Sequence, residues 1–117
     1  MYINNMNNIP KETVHAGTRV YKQVLIGPDK GPNFAMRRFI IDPGGEMPLH
    51  TNTVEHEQFV LTGHALVIID NQTYEVKKND VVFIPAGIKH SYKVLGDKVF
   101  EFLCVVPNKT DTMEVLK

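Results

Sequence analysis

Short runs of β-branched and aromatic residues, each cut off by a cluster of Gly, Pro, Asn or Asp, constrain this chain more than any other feature. The runs are Val20 to Ile26, Phe34 to Ile41, His56 to Leu61, Ala65 to Ile69, Thr73 to Val76, Val81 to Ile84, Ser91 to Val94 and Val99 to Val106. Gly27-Pro28-Asp29-Lys30-Gly31-Pro32 stops the first, Asp42-Pro43-Gly44-Gly45 is read as a turn stopping the second, and Gly63 and Asp70-Asn71 end the next two. No stretch carries an apolar period of 3.6 over three turns, so little helix is expected. Evenly spaced short strands predict an all-β sandwich or barrel. At 117 residues there is room for one domain, enough to bury roughly two-thirds of its unfolded surface without disulfides. Residues 1–14, Asn-rich and interrupted by Pro10, are read as a poorly ordered lead or an N-terminal arm that pairs elsewhere, and 15–117 as the single domain.

Charge and cysteine usage exclude several function classes. Thirteen basic residues balance thirteen acidic ones, so no net field draws the chain to nucleic acid or an anionic membrane. No apolar run approaches membrane-spanning length, and no basic stretch followed by an apolar core opens the chain. The lone Cys104 has no intrachain disulfide partner, which suits a reducing compartment. A cytoplasmic protein is therefore expected.

Alternation then places side chains, because residues two apart on a strand share a face. His56, Gln58 and Val60 point one way; Glu55, Glu57, Phe59 and Leu61 point the other. His90, Tyr92 and Val94 share a face, as do Phe100, Phe102, Cys104 and Val106, and as do His50 and Asn52 if that stretch is extended. Arg37 and Arg38 point to opposite faces, and one of them can reach an interior carboxylate. Imidazole is the commonest neutral metal ligand, and three imidazoles from separate strands are what a small catalytic metal site needs. His15 and His64 lie in the N-terminal segment and beside a turn and are given no role.

Two motifs carry a family resemblance. Gly44, five residues, His50, and later Gly63 follow the first motif of the cupin superfamily; Pro85-x-Gly87-x2-His90 follows the centre of the second. Fifteen residues separate Gly63 from Asn79, as in compact single-domain members. Asn52 stands at the second histidine of the H-x-H pair, His56 at the usual Glu, Asn79 at a Gly, and Val94 at the final Asn. Asn79 is compatible with that Gly position because Asn tolerates the left-handed backbone region. With His56 followed by Glu57, Phe59-Val60-Leu61 and Gly63, and with Glu101-Phe102-Leu103-Cys104 near the end, the chain resembles the histidine-rich manganese-binding mini-cupins of thermophiles.

The resemblance implies a jelly-roll β-barrel, commonly a homodimer with residues 1–14 as a candidate arm at its interface, and one divalent transition metal (Mn, Fe, Zn or Ni). His50, His56 and His90 would be its ligands, with Asn52 a candidate fourth contact in place of the subgroup's fourth histidine. Gln58, Tyr92, Phe102, Cys104 and Arg37 are expected to line a pocket for a small-molecule ligand; no residue is assigned as catalytic. Two functions compete at this point. One is a metal-dependent enzyme with oxygenase, isomerase or lyase type chemistry on a small organic molecule; the other is a non-catalytic sugar- or metabolite-binding cupin with a degenerate metal site.

Overall fold

A computed structural model describes residues 1–116; Lys117, the last residue of the expected domain, lies outside the described residues. Ten strands follow in order: β1 (Glu12–Thr13), β2 (Thr18–Ile26), β3 (Phe34–Asn52), β4 (His56–Thr62), β5 (His64–Ile69), β6 (Gln72–Lys77), β7 (Val81–Ile84), β8 (His90–Leu95), β9 (Phe100–Pro107) and β10 (Met113–Val115). The only helix among the described residues is one 3-10 turn, Met6–Asn8. The expected runs all form strands, because β-branched and aromatic side chains suit a pleated, half-buried surface. Asp70 and Asn71 join β5 to β6 with φ of 48° and 70°, the left-handed pair that a tight hairpin of this twist requires. Asn79 also sits at φ 76°, as its place in the second motif requires.

The strand β3 corrects the sequence reading. Asp42-Pro43-Gly44-Gly45, read as a turn, lies inside a single strand of 19 residues. Local Gly and Pro signals mark a break in direction here, but pairing on both sides carries the strand through it. Residues Phe34 to Ile41 pair with β2 and β9, whereas Glu46 to His50 pair with β8, and β10 adds beside His50 to Asn52. The β2 register jumps from Val20↔Ile41 to Thr18↔Glu46, so the intervening residues form a corner at which β3 changes sheets. Gly44 takes φ 80°, and a Cβ on Gly45 would lie 2.7 Å from the Thr18 carbonyl oxygen. Only glycine lets the backbones approach that closely.

This corner curls the strand order β6-β5-β8-β3-β9-β4-β7 into a jelly-roll barrel. Inward positions of β4, β8 and β9 alternate as expected: His56, Gln58 and Val60, then His90, Tyr92 and Val94, then Phe100, Phe102, Cys104 and Val106 are all buried. Each such apolar side chain contributes about 1.5–3 kcal/mol of burial free energy. The segment 1–14 is tied to its own chain. Gln23 Nε2 on β2 donates to the carbonyls of Met6 (3.0 Å) and Ile9 (2.7 Å), and Glu12 and Thr13 pair with Lys22 and Tyr21.

Candidate functional site

Four strands deliver the site to one cavity of about 210 Å³ inside the barrel. β3 brings Arg37, Phe39, His50 and Asn52; β4 brings His56 and Gln58; β8 brings His90 and Tyr92; β9 brings Phe102. Cys104 packs behind this lining, fully buried against His56 and Arg37.

His50 and His90 are register partners across β3 and β8, with ring centroids 4.1 Å apart. His56 approaches from β4, its ring centroid 5.8 Å from that of His90. The same local device orients the first two rings. His50 Nδ1 lies 2.7 Å from the Pro48 carbonyl oxygen, and His90 Nδ1 lies 2.9 Å from that of Ile88. A carbonyl only accepts, so Nδ1 donates in both rings and a neutral imidazole keeps its lone pair on Nε2. Burial disfavours the cationic forms: the pKa of His56 is pushed down from 6.5 to about 3 and that of His90 to about 4, and that of His50 is also lowered. All three rings are therefore neutral at pH 7.

Several buried polar atoms in this cluster are left without partners. His56 Nε2, His90 Nε2 and Asn52 Oδ1 are buried and make no hydrogen bond. The Asn52 amide has a defined orientation, because its Nδ2 donates to Asp111 Oδ2 at 3.3 Å and a carboxylate cannot donate back. Buried polar atoms are rarely orphaned; the His90 Nε2 lone pair and the Asn52 amide oxygen face the cavity, and His56 joins them as the tautomer with its lone pair on Nε2, a donor set suited to a cation. The rings do not yet close on a single point. Among the described residues no group of three His, Cys, Asp or Glu side chains is posed to hold an ion.

The other pocket residues sort by their neighbours. Gln58 Nε2 donates to Tyr92 Oη at 2.7 Å, so the two expected polar handles engage each other. Burial holds the Tyr92 phenol and the Cys104 thiol protonated by raising both pKa values. Phe102 stacks on Tyr92 (5.2 Å, 22°) and on Phe39 (5.3 Å, 16°), making an aromatic wall of stacked rings. Arg37 enters the cavity; Arg38 leaves through the opposite face to bond Gln23 Oε1 at 2.7 Å and to pair with Glu101. Glu55 and Glu57 are exposed, as alternation implied; His15 is exposed, and half-buried His64 lies 3.7 Å from Glu75 outside the cavity.

Sequence reasoning missed Val14, Val20, Lys22, Phe39, Ile41, Met47, Asp111 and Met113 in the lining. Val20, Ile41 and Met47 carry an apolar signal that reads as plain core. Asp111 and Met113 come from the chain beside β10, whose pairing with β3 (Met113↔Asn52) is too distant in sequence for any local pattern to announce.

Comparison with known proteins places this geometry. Residues 37–106 match the family described as "Cupin domain". An uncharacterized protein of Methanocaldococcus jannaschii is 29% identical over 104 residues, covering 88% of this chain and 75% of that protein. The 1-methylthio-D-xylulose 5-phosphate methylsulfurylase of Rhodospirillum rubrum is 28% identical over 92 residues, or 79% of this chain and 58% of the relative. Among solved structures, the polyketide cyclase RemF of Streptomyces resistomycificus superposes with a TM-score of 0.86 at 27% identity, over 93% of this chain and 80% of the other.

Proposed function

This chain belongs to the cupin family, and on that footing we propose that it is a metal-dependent enzyme acting on a small organic molecule. One divalent transition ion (Mn, Fe, Zn or Ni) would be held by Nε2 of His50, His56 and His90, with Asn52 Oδ1 as a further contact. The observation that carries this reading is the set of buried, unpartnered polar atoms, His56 Nε2, His90 Nε2 and Asn52 Oδ1, around one cavity. The Nδ1 bonds to Pro48 and Ile88 support it, since a backbone acceptor on one ring nitrogen raises the basicity of the other and sets its direction. Similarity to a named cyclase and a named methylsulfurylase supports catalysis over passive binding.

An ion bound there supplies Lewis acidity and open coordination positions, the common requirement of oxygenase, isomerase and lyase chemistry. The chain's own residues do the rest. The aromatic wall excludes water from one side, Gln58 fixes the Tyr92 hydroxyl, and Asp111 holds the Asn52 amide with its oxygen free. The reading includes a cytoplasmic setting and a homodimer. Outward-facing Phe59, Val81 and Phe83 on β4 and β7, exposed by 39%, 78% and 53%, support self-association. Among the described residues no helix is long and apolar enough to cross a membrane.

Elemental analysis of protein purified without chelators tests the site. About one equivalent of transition metal is expected, lost in His90→Ala with the circular dichroism spectrum retained. Substoichiometric metal, together with unchanged thermal stability in EDTA, overturns the reading in favour of a non-catalytic binding cupin.

A further inference from the structure

Arg37 is the cavity's least satisfied side chain. It faces inward from β3 in register with Cys104, which is itself in register with Gln58 on β4, so the three form one row across the inner sheet. Its Nη2 donates to Cys104 Sγ at 3.4 Å, a weak acceptor; its guanidinium lies 5.0 Å from the Phe39 ring centroid; its Nε is buried with no partner. Among the described residues no carboxylate lies within ion-pair distance of it. A guanidinium carries five donors in a planar fork that matches a carboxylate in bidentate fashion. Holding one half-buried against a sulfur and a ring, with its charge unmatched, disfavours the empty cavity and favours an anionic ligand.

The surroundings narrow the ligand. An apolar cavity of about 150 Å³ accommodates benzene, so about 210 Å³ leaves room for one ring or a short unsaturated chain plus a carboxylate. The Phe39, Phe102 and Tyr92 rings stack one on the next beside Arg37, an aromatic lining whose edges and faces favour a planar π system over a puckered ring. His56 Nδ1 lies 3.5 Å from the Cys104 sulfur that Arg37 also touches, so a group seated on Arg37 lies next to the imidazole cluster.

We propose that Arg37 anchors the carboxylate of a small planar organic acid, aromatic or α,β-unsaturated, next to the histidines, with its flat body packed against the Phe39, Phe102 and Tyr92 rings. Arg37 is thus the specificity-determining residue for the substrate class. A reaction at the histidines rests on the metal-enzyme reading; the anchor stands on Arg37 itself.

Calorimetric titration of the full chain, with Mn²⁺ and after EDTA, tests this with three probes: benzoate, neutral benzamide of the same shape, and non-planar cyclohexanecarboxylate. Benzoate is expected to bind at least tenfold tighter than either alternative, with or without the ion, and Arg37→Met is expected to erase its advantage over benzamide. An advantage that survives Arg37→Met, or that vanishes on EDTA treatment of the wild type, places the carboxylate elsewhere and overturns the anchor. Equal binding of benzoate and cyclohexanecarboxylate overturns the planar class. Should Arg37→Met fail to fold, Arg37→Lys decides: it keeps the charge but not the fork, so the benzoate preference must fall at least threefold, and an unchanged preference refutes the proposal. If no metal is bound under any condition while the Arg37-dependent preference holds, the enzymatic reading falls and the anion anchor remains.

Discussion

Arg37 and Arg38 are neighbours on β3, and the strand sends them into opposite environments. Outside the barrel, Arg38 bonds Gln23 and pairs with Glu101, Thr62 Oγ1 donates to Glu101 at 2.9 Å, and Gln23 in turn holds the carbonyls of Met6 and Ile9. All but one atom of that chain of contacts finds a partner; Arg38 Nε is the remainder. Inside, Arg37, His56, His90 and Asn52 each keep a buried polar atom with no partner. Both faces hold polar groups out of water, but the outer one is internally complete save for Arg38 Nε. An outer network of that kind stabilises the fold, whereas the inner cluster is complementary to something the chain does not itself contain.

Acid should break this contrast most strongly. Folding depresses the imidazole pKa of His56 and His90 below 6.5, so the unfolded chain takes up protons first. Stability of the metal-free protein is therefore flat above about pH 6.5 and falls below it, by about 1.4 kcal/mol per pH unit for each ring, until near pH 4. Urea unfolding between pH 7 and 4 measures this, and a flat profile would show the rings to be solvated. Next comes Arg38→Met, which strands the largely buried Glu101 carboxylate; a loss of about 3–5 kcal/mol is expected, with metal content unaltered. Chelation follows: at a free ion concentration about 100-fold above Kd the bound ion stabilises by about 2.7 kcal/mol, so EDTA should lower Tm on the order of 10 °C, read by calorimetry. Arg37→Met is the smallest, within about 1 kcal/mol of wild type and on the stabilising side, since it removes an unmatched charge rather than half of a pair. A loss comparable to that of Arg38→Met would erase the distinction between the two faces.

Much of this was legible in the residues because a period of two leaves little freedom. Once His56, His90 and Phe102 were set on strands, the partners two residues away had to share their side, and Gln58, Tyr92 and Cys104 do. Asn79 was readable for a similar reason, since few side chains accept a left-handed backbone. Strand continuity was not readable. Pro43 and two glycines carry the local signature of a stop, and only the partners β2, β8 and β9, remote in sequence, show that the chain bends and continues. Asp111 was invisible for the same reason, since its role depends on where β10 lands beside Asn52. The mutual bond of Gln58 and Tyr92 likewise depends on a spacing between strands that no single stretch encodes.

Because Arg37 and His50 ride on one uninterrupted strand with the Gly44–Gly45 bend between them, that bend works as the hinge of a caliper. On the proposed reading, its angle would set where the Arg37 guanidinium sits relative to the imidazoles. Descendants of this chain could thus retune which acids they accept by altering a corner that touches no substrate, while every residue in the cavity stays the same.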